Sequence, residues 1–147
     1  MACAMTNGQS TTIQKLTLRE AHWQAMLEHV RQHDREEACG LLSGANGRAE
    51  KVYLIENSLH SPVEYYMDPV QQVRAMLEIE AAGLEVSAIF HSHPAGPPVP
   101  SQTDVERSYY PDSVYIIMSP LSKESWGARG FIIDGGIVRE VVIEIGA

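Results

Sequence analysis

A hydrophobic segment that runs into two closely spaced histidines is the feature that most constrains how this chain folds. Residues 86–90, Val-Ser-Ala-Ile-Phe, are rich in β-branched and aromatic side chains and predict a buried strand. His91 and His93 follow directly. Because alternate residues of an extended chain point to the same side, the two imidazoles leave the strand together. Pro94 then ends the strand, since proline has no N–H to donate to a ladder.

A carboxylate reaches the same region a few residues later. The proline-rich loop 95–100 turns the chain back, and Asp104 follows Ser101 beyond it. Two imidazoles and one carboxylate leave the fourth position of a tetrahedral zinc ion open, which is typical of catalytic zinc sites. A structural zinc site more often has four protein ligands that include cysteines, and Cys3 and Cys39 are far apart in the sequence.

Hydrolysis at such a site also needs a base that takes a proton from water and returns it to the leaving group. Glu36 and Glu37 precede the apolar stretch 38–44 and are both candidates. If this stretch is extended, Glu37 shares a face with Leu41, which is typical of a core residue, so Glu37 points inward. A buried carboxylate needs a partner, and a water molecule held by a metal ion is a suitable one.

The upstream glutamate, the His-x-His-Pro segment and the Ser-x-x-Asp segment together resemble the JAMM (MPN-plus, Mov34-like) zinc metallopeptidases. In that family ten residues separate the second histidine from the aspartate, and here residues 94–103 separate His93 from Asp104. The family glutamate stands three residues before a glycine. Residues 37–40 fit this frame, whereas Glu36 does not.

The resemblance implies a role for each of these residues. His91, His93 and Asp104 would hold one Zn²⁺ per chain. Glu37 would act as the general base, and Ser101 would stabilise the oxyanion of the tetrahedral intermediate. The implied reaction is hydrolysis of an amide bond at the C-terminal tail of a ubiquitin-like or sulfur-carrier protein, by a peptidase or isopeptidase of the small prokaryotic type.

Several of these residues also have simpler structural interpretations. Ser101 is a good helix N-cap and Asp104 a favourable charge in a first helical turn, and the cap and the oxyanion can compete for one Ser101 hydroxyl. Cys39 is most simply a small buried hydrophobic residue. The remaining four histidines are predicted to be non-catalytic, the first three on solvent-exposed helix positions and the last in a loop: His22, His29, His33 and His60.

The arrangement of strands and helices predicts an α/β (α+β) fold with a central mixed, largely antiparallel sheet flanked by helices. The resemblance, which extends from about Leu18 to the C-terminus, implies the MPN fold, a deaminase-like three-layer sandwich. Residues 13–147 are expected to form one domain and residues 1–12 a disordered tail. Strands are predicted at 13–18, 38–43, 51–56, 63–67, 86–91, 114–118, 128–133 and 137–145, and helices at 19–33, 70–82 and from 101 to about 107.

Composition restricts the partners. The formal net charge of −8 disfavours nucleic-acid backbones and anionic membrane surfaces. No apolar run approaches the roughly 20 residues needed to span a bilayer, and residues 1–12 lack the features of a signal peptide. Two cysteines without a disulfide framework are typical of a reducing cytoplasm. A homodimer is compatible with the sequence.

Three other classes of protein remain as alternatives. A non-catalytic MPN scaffold module has typically lost the ligands that this chain retains. A RadC-like DNA-repair-associated protein has a similar motif spacing, but its extra N-terminal region has no counterpart here, and the acidic charge disfavours DNA. A zinc deaminase would need His-x-Glu together with Pro-Cys-x-x-Cys, and neither pattern occurs.

Overall fold

Seven strands and three helices make up residues 13–146, which the computed structural model describes. The predicted tail, residues 1–12, lies outside the described residues. In chain order the elements are β1 (Lys15–Arg19), α1 (Glu20–Gln32), β2 (Cys39–Ala45), β3 (Arg48–Ile55), α2 (Pro69–Ala81), β4 (Glu85–Ser92), α3 (Gln102–Glu106), β5 (Val114–Pro120), β6 (Trp126–Asp134) and β7 (Ile137–Gly146).

The strands form one mixed sheet in the order β1-β3-β2-β4-β5-β6-β7. Three neighbouring pairs are parallel, namely β1–β3, β1–β7 and β4–β5. The other four are antiparallel. Because β1 pairs with both β3 and β7, the sheet closes on itself, a feature that the local pattern of the sequence does not encode. The predicted mixed, largely antiparallel α/β (α+β) sheet is confirmed.

Two apolar clusters cover the two faces of this sheet. Along β4, Ala88 and Phe90 point into one cluster, to which α1 contributes Met26 and other buried residues. Ile89 points into the other cluster, together with α2. This alternation is the period of two that an extended strand requires, and it gives the predicted three layers of helix, sheet and helix.

Helix α2 begins as predicted but faces the sheet with a different stripe. Asp68 caps it by accepting a hydrogen bond from the Gln71 N–H at 2.9 Å. The sequence places Val73, Leu77 and Ala81 on one apolar stripe of this helix, but all three are exposed. Ala75 and Ile79 are buried instead. Both stripes have helical spacing, and only the entry angle of the helix decides between them.

The expectation that His22 is exposed to solvent is wrong. Its side chain folds back over the start of α1, where Nδ1 accepts a hydrogen bond from the Arg19 N–H at 3.1 Å. Its Nε2 donates to the Glu50 carbonyl at 3.1 Å. The imidazole is buried because it takes the place of a capping side chain at this helix end. His33 is exposed, as predicted, whereas His29 is half-buried because its Nε2 donates to the Cys39 carbonyl at 3.1 Å.

The predicted strand at 63–67 is also wrong, because one buried side chain organises this segment as a loop. Met67 forms only an isolated bridge with Asn57. The Asn57 amide donates to the carbonyls of Glu37 at 3.0 Å and Glu64 at 3.1 Å. Its Oδ1 accepts from the N–H groups of Leu59 and Tyr66, both at 3.0 Å. The loop's backbone groups are thus satisfied without a ladder. The additional element predicted here is therefore absent from the part of the chain described.

Within residues 13–146, no helix has the length and apolar character that crossing a membrane requires.

Replacing Asn57 by alanine should destabilise the protein by about 2–4 kcal/mol, because four backbone groups lose their partner inside the fold. Urea unfolding measures this change. Gln24→Ala removes one exposed hydrogen bond, to Glu20 at 2.7 Å, and should change stability by less than about 0.5 kcal/mol. Equal effects of the two substitutions would contradict the role given to Asn57.

Candidate active site

The pairing of β2 with β4 sets the position of Glu37 relative to the histidines. Cys39 lies directly opposite His91. The Ser92 hydroxyl accepts a hydrogen bond from the Ala38 N–H, and the Ser92 N–H donates to the Ala38 carbonyl, both at 2.9 Å. Two hydrogen bonds therefore hold Ala38 against Ser92. Glu37 directly precedes Ala38, and its side chain lies on the same face of the sheet as the histidines.

Four predicted residues converge in the structure. The Nε2 atoms of His91 and His93 are 3.0 Å apart, and Asp104 Oδ2 lies 3.2 Å from the first and 3.1 Å from the second. Glu37 Oε2 lies 3.9 Å from His93 Nε2. One ligand atom from each residue lies within 4.8 Å of the others. Glu36 does not join them, since its carboxylate contacts His60 at 3.2 Å.

The hydrogen bonds around the histidines fit a metal ion. His93 Nδ1 donates to the Pro97 carbonyl at 2.7 Å, so its Nε2 carries a lone pair toward the cluster. Ligand atoms 2.0–2.1 Å from a tetrahedral zinc ion are about 3.3 Å apart, close to the separations found here. Glu37 Oε1 is buried without a hydrogen-bond partner. A cation held between the two Nε2 atoms and Asp104 Oδ2 would satisfy the lone pairs that face one another there.

Asp104 is oriented by the first turn of α3. Its Oδ2 accepts from the Ser101 N–H at 2.9 Å, and the Ser101 hydroxyl accepts from the Asp104 N–H at 3.0 Å. This reciprocal capping box confirms the structural interpretation of Ser101 as the N-cap. The hydroxyl is exposed and uses a lone pair in this bond, so its own proton stays available to a substrate.

The pKa values of the two carboxylates in the cluster are shifted in opposite directions. Burial raises the pKa of Glu37 to about 8, against a smaller opposing effect of His93. Burial also disfavours the charge of Asp104, but its close contacts with His91 and His93 and the hydrogen bond from the Ser101 N–H lower its pKa well below the ordinary range. Asp104 therefore stays ionised, as a ligand must, while Glu37 is able to exchange a proton near neutral pH.

Sequence reasoning missed one aromatic residue at this site. The ring of Tyr65 stacks on the imidazole of His91, with centroids 4.5 Å apart and planes 28° apart. Metal-binding histidines usually donate their second N–H to an acceptor, as His93 does, but His91 Nδ1 has none in the structure described. The stack thus helps to fix the plane of this imidazole, together with the edge contact of the His93 ring.

The chain belongs to the prokaryotic JAB family. The model described as prokaryotic homologs of the JAB domain matches residues 19–129. The chain is also similar to solved structures. It shares 34% identity and a TM-score of 0.79 with a solution structure of a Desulfitobacterium hafniense protein, over 88% of this chain and 92% of that one. A JAB1/MPN domain protein from Archaeoglobus fulgidus, at 18% identity and a TM-score of 0.55, supports the fold.

Curated relatives bear the names of enzymes. A CysO-cysteine peptidase of Mycobacterium tuberculosis is 33% identical over 134 residues, which are 89% of this chain and 92% of the relative. A desampylase of Pyrococcus furiosus is 51% identical over 70 residues, a match that spans 48% of this chain and 50% of the relative. The predicted family and the predicted enzyme class, a peptidase, are thereby confirmed.

Asp104→Asn should reduce zinc affinity by more than the roughly 10–100-fold that loss of an outer-shell partner costs, because it removes the one charged ligand. Competition with a chromophoric chelator measures the dissociation constant. Glu36→Gln alters a carboxylate that faces away from the cluster and should leave affinity unchanged. Equal affinities of Asp104→Asn and the wild type would refute the assignment.

Tyr65→Leu should weaken zinc binding by about 10-fold because His91 loses a contact that helps to fix its ring, whereas Tyr65→Phe keeps the stack and should bind like the wild type. The same chelator competition detects the difference. Tyr115→Leu is the matched control, since Tyr115 packs in the same apolar cluster. The interpretation fails if Tyr115→Leu weakens zinc binding as much as Tyr65→Leu does.

Proposed function

We propose that this protein is a zinc-dependent peptidase or isopeptidase that hydrolyses an amide bond at the C-terminal tail of a ubiquitin-like or sulfur-carrier protein. The observation that carries the proposal is the buried cluster of two imidazoles and one carboxylate with Glu37 beside it. The relatives support the substrate class, since their names include a CysO-cysteine peptidase and a probable TtuB-protein conjugate cleaving protease of Thermus thermophilus.

Each residue of the cluster has a definite task in this proposal. His91, His93 and Asp104 would hold one Zn²⁺, which when bound lowers the pKa of a water molecule toward about 7 and polarises a carbonyl. Glu37 accepts a proton from the attacking water and returns it to the departing amine. Its buried Oε1 has no other partner, so it is free to accept that proton.

Ser101 would stabilise the negative charge that develops on the substrate carbonyl oxygen. The capping bond uses a lone pair of the hydroxyl, and the oxyanion requires its proton, so the two roles do not compete. The N-cap also fixes the Ser101 backbone next to Asp104, which keeps the donor close to the metal ligands.

Three expectations from the sequence concern the location, oligomeric state and partners of the protein. A cytoplasmic location, a possible homodimer and the absence of nucleic-acid partners stay predictions. The non-catalytic scaffold and the RadC-like protein are the outcomes that the experiment below separates from hydrolysis.

Glu37→Gln should retain zinc and lose on the order of 10² to 10⁴ in turnover, because the amide cannot accept and return the proton. The assay follows release of cysteine by mass spectrometry from a small sulfur-carrier protein extended by that residue. Glu36→Gln, the neighbouring carboxylate, should retain full activity.

Two results would contradict the proposal. Full activity of Glu37→Gln would refute the assignment of the base. Stoichiometric zinc in the wild type with no cleavage of any tail would favour a scaffold, and a shift of duplex DNA by the same protein would favour the RadC-like alternative.

A further inference from the structure

A cavity of about 600 Å³ adjoins the metal ligands on one side. Asp104 lines it, and so does Tyr65, the ring that stacks on His91. Its floor is formed by buried residues of the sheet, including Leu41 and Ile89. Its size lies within the range of cavities that enclose most of a drug-sized ligand, so it accommodates more than a glycine.

The lining of this cavity is unusually aromatic for this chain. Five of its six tyrosines line the cavity: Tyr65, Tyr66, Tyr109, Tyr110 and Tyr115. Around its mouth large apolar side chains remain exposed, among them Leu59 at 47% and Tyr110 at 37%. Exposed aromatic and aliphatic side chains around a concave site are typical of a pocket that receives an apolar anchor from a protein partner.

The charged groups of the lining are already paired. Arg107 contacts Glu64 at 3.2 Å, and Asp104 contacts the two histidines. The Arg107–Glu64 ion pair joins the end of α3 to the loop that Asn57 organises, so both walls are connected. Arg107 and Glu64 neutralise each other, and the Asp104 carboxylate is turned toward the two histidines, so the rest of the cavity favours an uncharged apolar side chain over a charged one.

The position of the base indicates which side of the scissile bond this cavity serves. Glu37 returns a proton to the departing amine, and Glu37 does not line the cavity. The relatives' names describe different leaving groups, a cysteine in one case and a protein in another, whereas a carrier-protein tail is common to both. A large pre-formed pocket is better suited to bind the tail, which these substrates share, than the leaving group, which varies.

We propose that this tyrosine-lined cavity is a specificity subsite that binds a large apolar side chain located in the substrate tail, a few residues before the scissile bond. The inference rests on the proposed function and names the part of the substrate that the enzyme selects. A leucine-sized side chain enters the cavity, and the tail then passes Asp104 to reach the reacting centre.

A peptide series tests the subsite. The parent peptide is acetyl-Ala-Ala-Ala-Gly-Gly-Cys, cleaved before cysteine by the zinc-loaded protein, and leucine replaces each alanine in turn. One further peptide carries leucine in place of the cysteine. We expect kcat/KM to rise at least about 10-fold for one of the alanine positions, mainly through KM, and to change little for leucine after the scissile bond.

Two rim substitutions and one control link the selectivity to the cavity. Leu59→Ala and Tyr110→Ala shorten exposed side chains, so the core stays intact, and the preference for leucine over alanine should fall to about 2-fold or less. Tyr53→Ala alters the one tyrosine outside the cavity and should retain the full preference.

Binding to the zinc-loaded Glu37→Gln variant gives a readout that does not depend on turnover. NMR titration compares the dissociation constants of the best leucine peptide and the parent peptide, and the leucine peptide should bind at least about 10-fold more tightly. Equal affinities, a preference that survives both rim substitutions, or a gain confined to leucine after the scissile bond would overturn the subsite.

Cleavage of all peptides at equal rates would overturn the subsite and leave the proposed function intact. Selective binding without any cleavage by the wild type would support the subsite and overturn the proposed function.

Discussion

The site is built around three lone pairs that face one another inside the protein. The Nε2 atoms of His91 and His93 and Oδ2 of Asp104 lie 3.0–3.2 Å apart, and the first histidine is almost completely buried. Acceptors so close together repel one another unless a proton or a cation lies between them. Elsewhere in the described chain the buried polar groups mostly have hydrogen-bond partners, so this cluster differs from them and fits a bound cation.

The fold holds this arrangement from several directions. Ser92 ties β2 to β4 just behind the cluster, Asn57 holds the backbone of Glu37, and the Ser101 cap orients Asp104. None of these three contacts touches a reacting atom. Each one fixes a side chain or a backbone segment whose displacement by about 1 Å would impair catalysis.

The sequence predicts the centre of the site well because its ligands are local. His91 and His93 leave one strand, and Asp104 follows a helix cap that is visible in the sequence. Even the glycine of the family frame has a physical explanation, since a Cβ at Gly40 would overlap the ring of Phe90. Periodicity and capping rules act over a few residues, and both the spacing of the two histidines and the Ser101–Asp104 cap lie within that distance.

The features that sequence reasoning missed depend on contacts between distant segments. The closing of the sheet through β1, the choice of α2 stripe and the stack of Tyr65 on His91 are set by tertiary packing. The segment predicted as a strand at 63–67 has strand propensity, but four hydrogen bonds to the buried Asn57 side chain satisfy backbone groups of the surrounding loop and of Glu37. A polar side chain with four partners overrides local propensity in a way that no short pattern reveals.

X-ray absorption spectroscopy of the zinc-loaded protein reports which atoms surround the metal ion. If His91, His93 and Asp104 hold the zinc, we expect a first shell of nitrogen and oxygen at about 2.0–2.2 Å, with outer-shell scattering from two imidazoles and no sulfur. A sulfur ligand at about 2.3 Å, which would implicate a cysteine, or scattering from a number of imidazoles other than two would contradict this assignment.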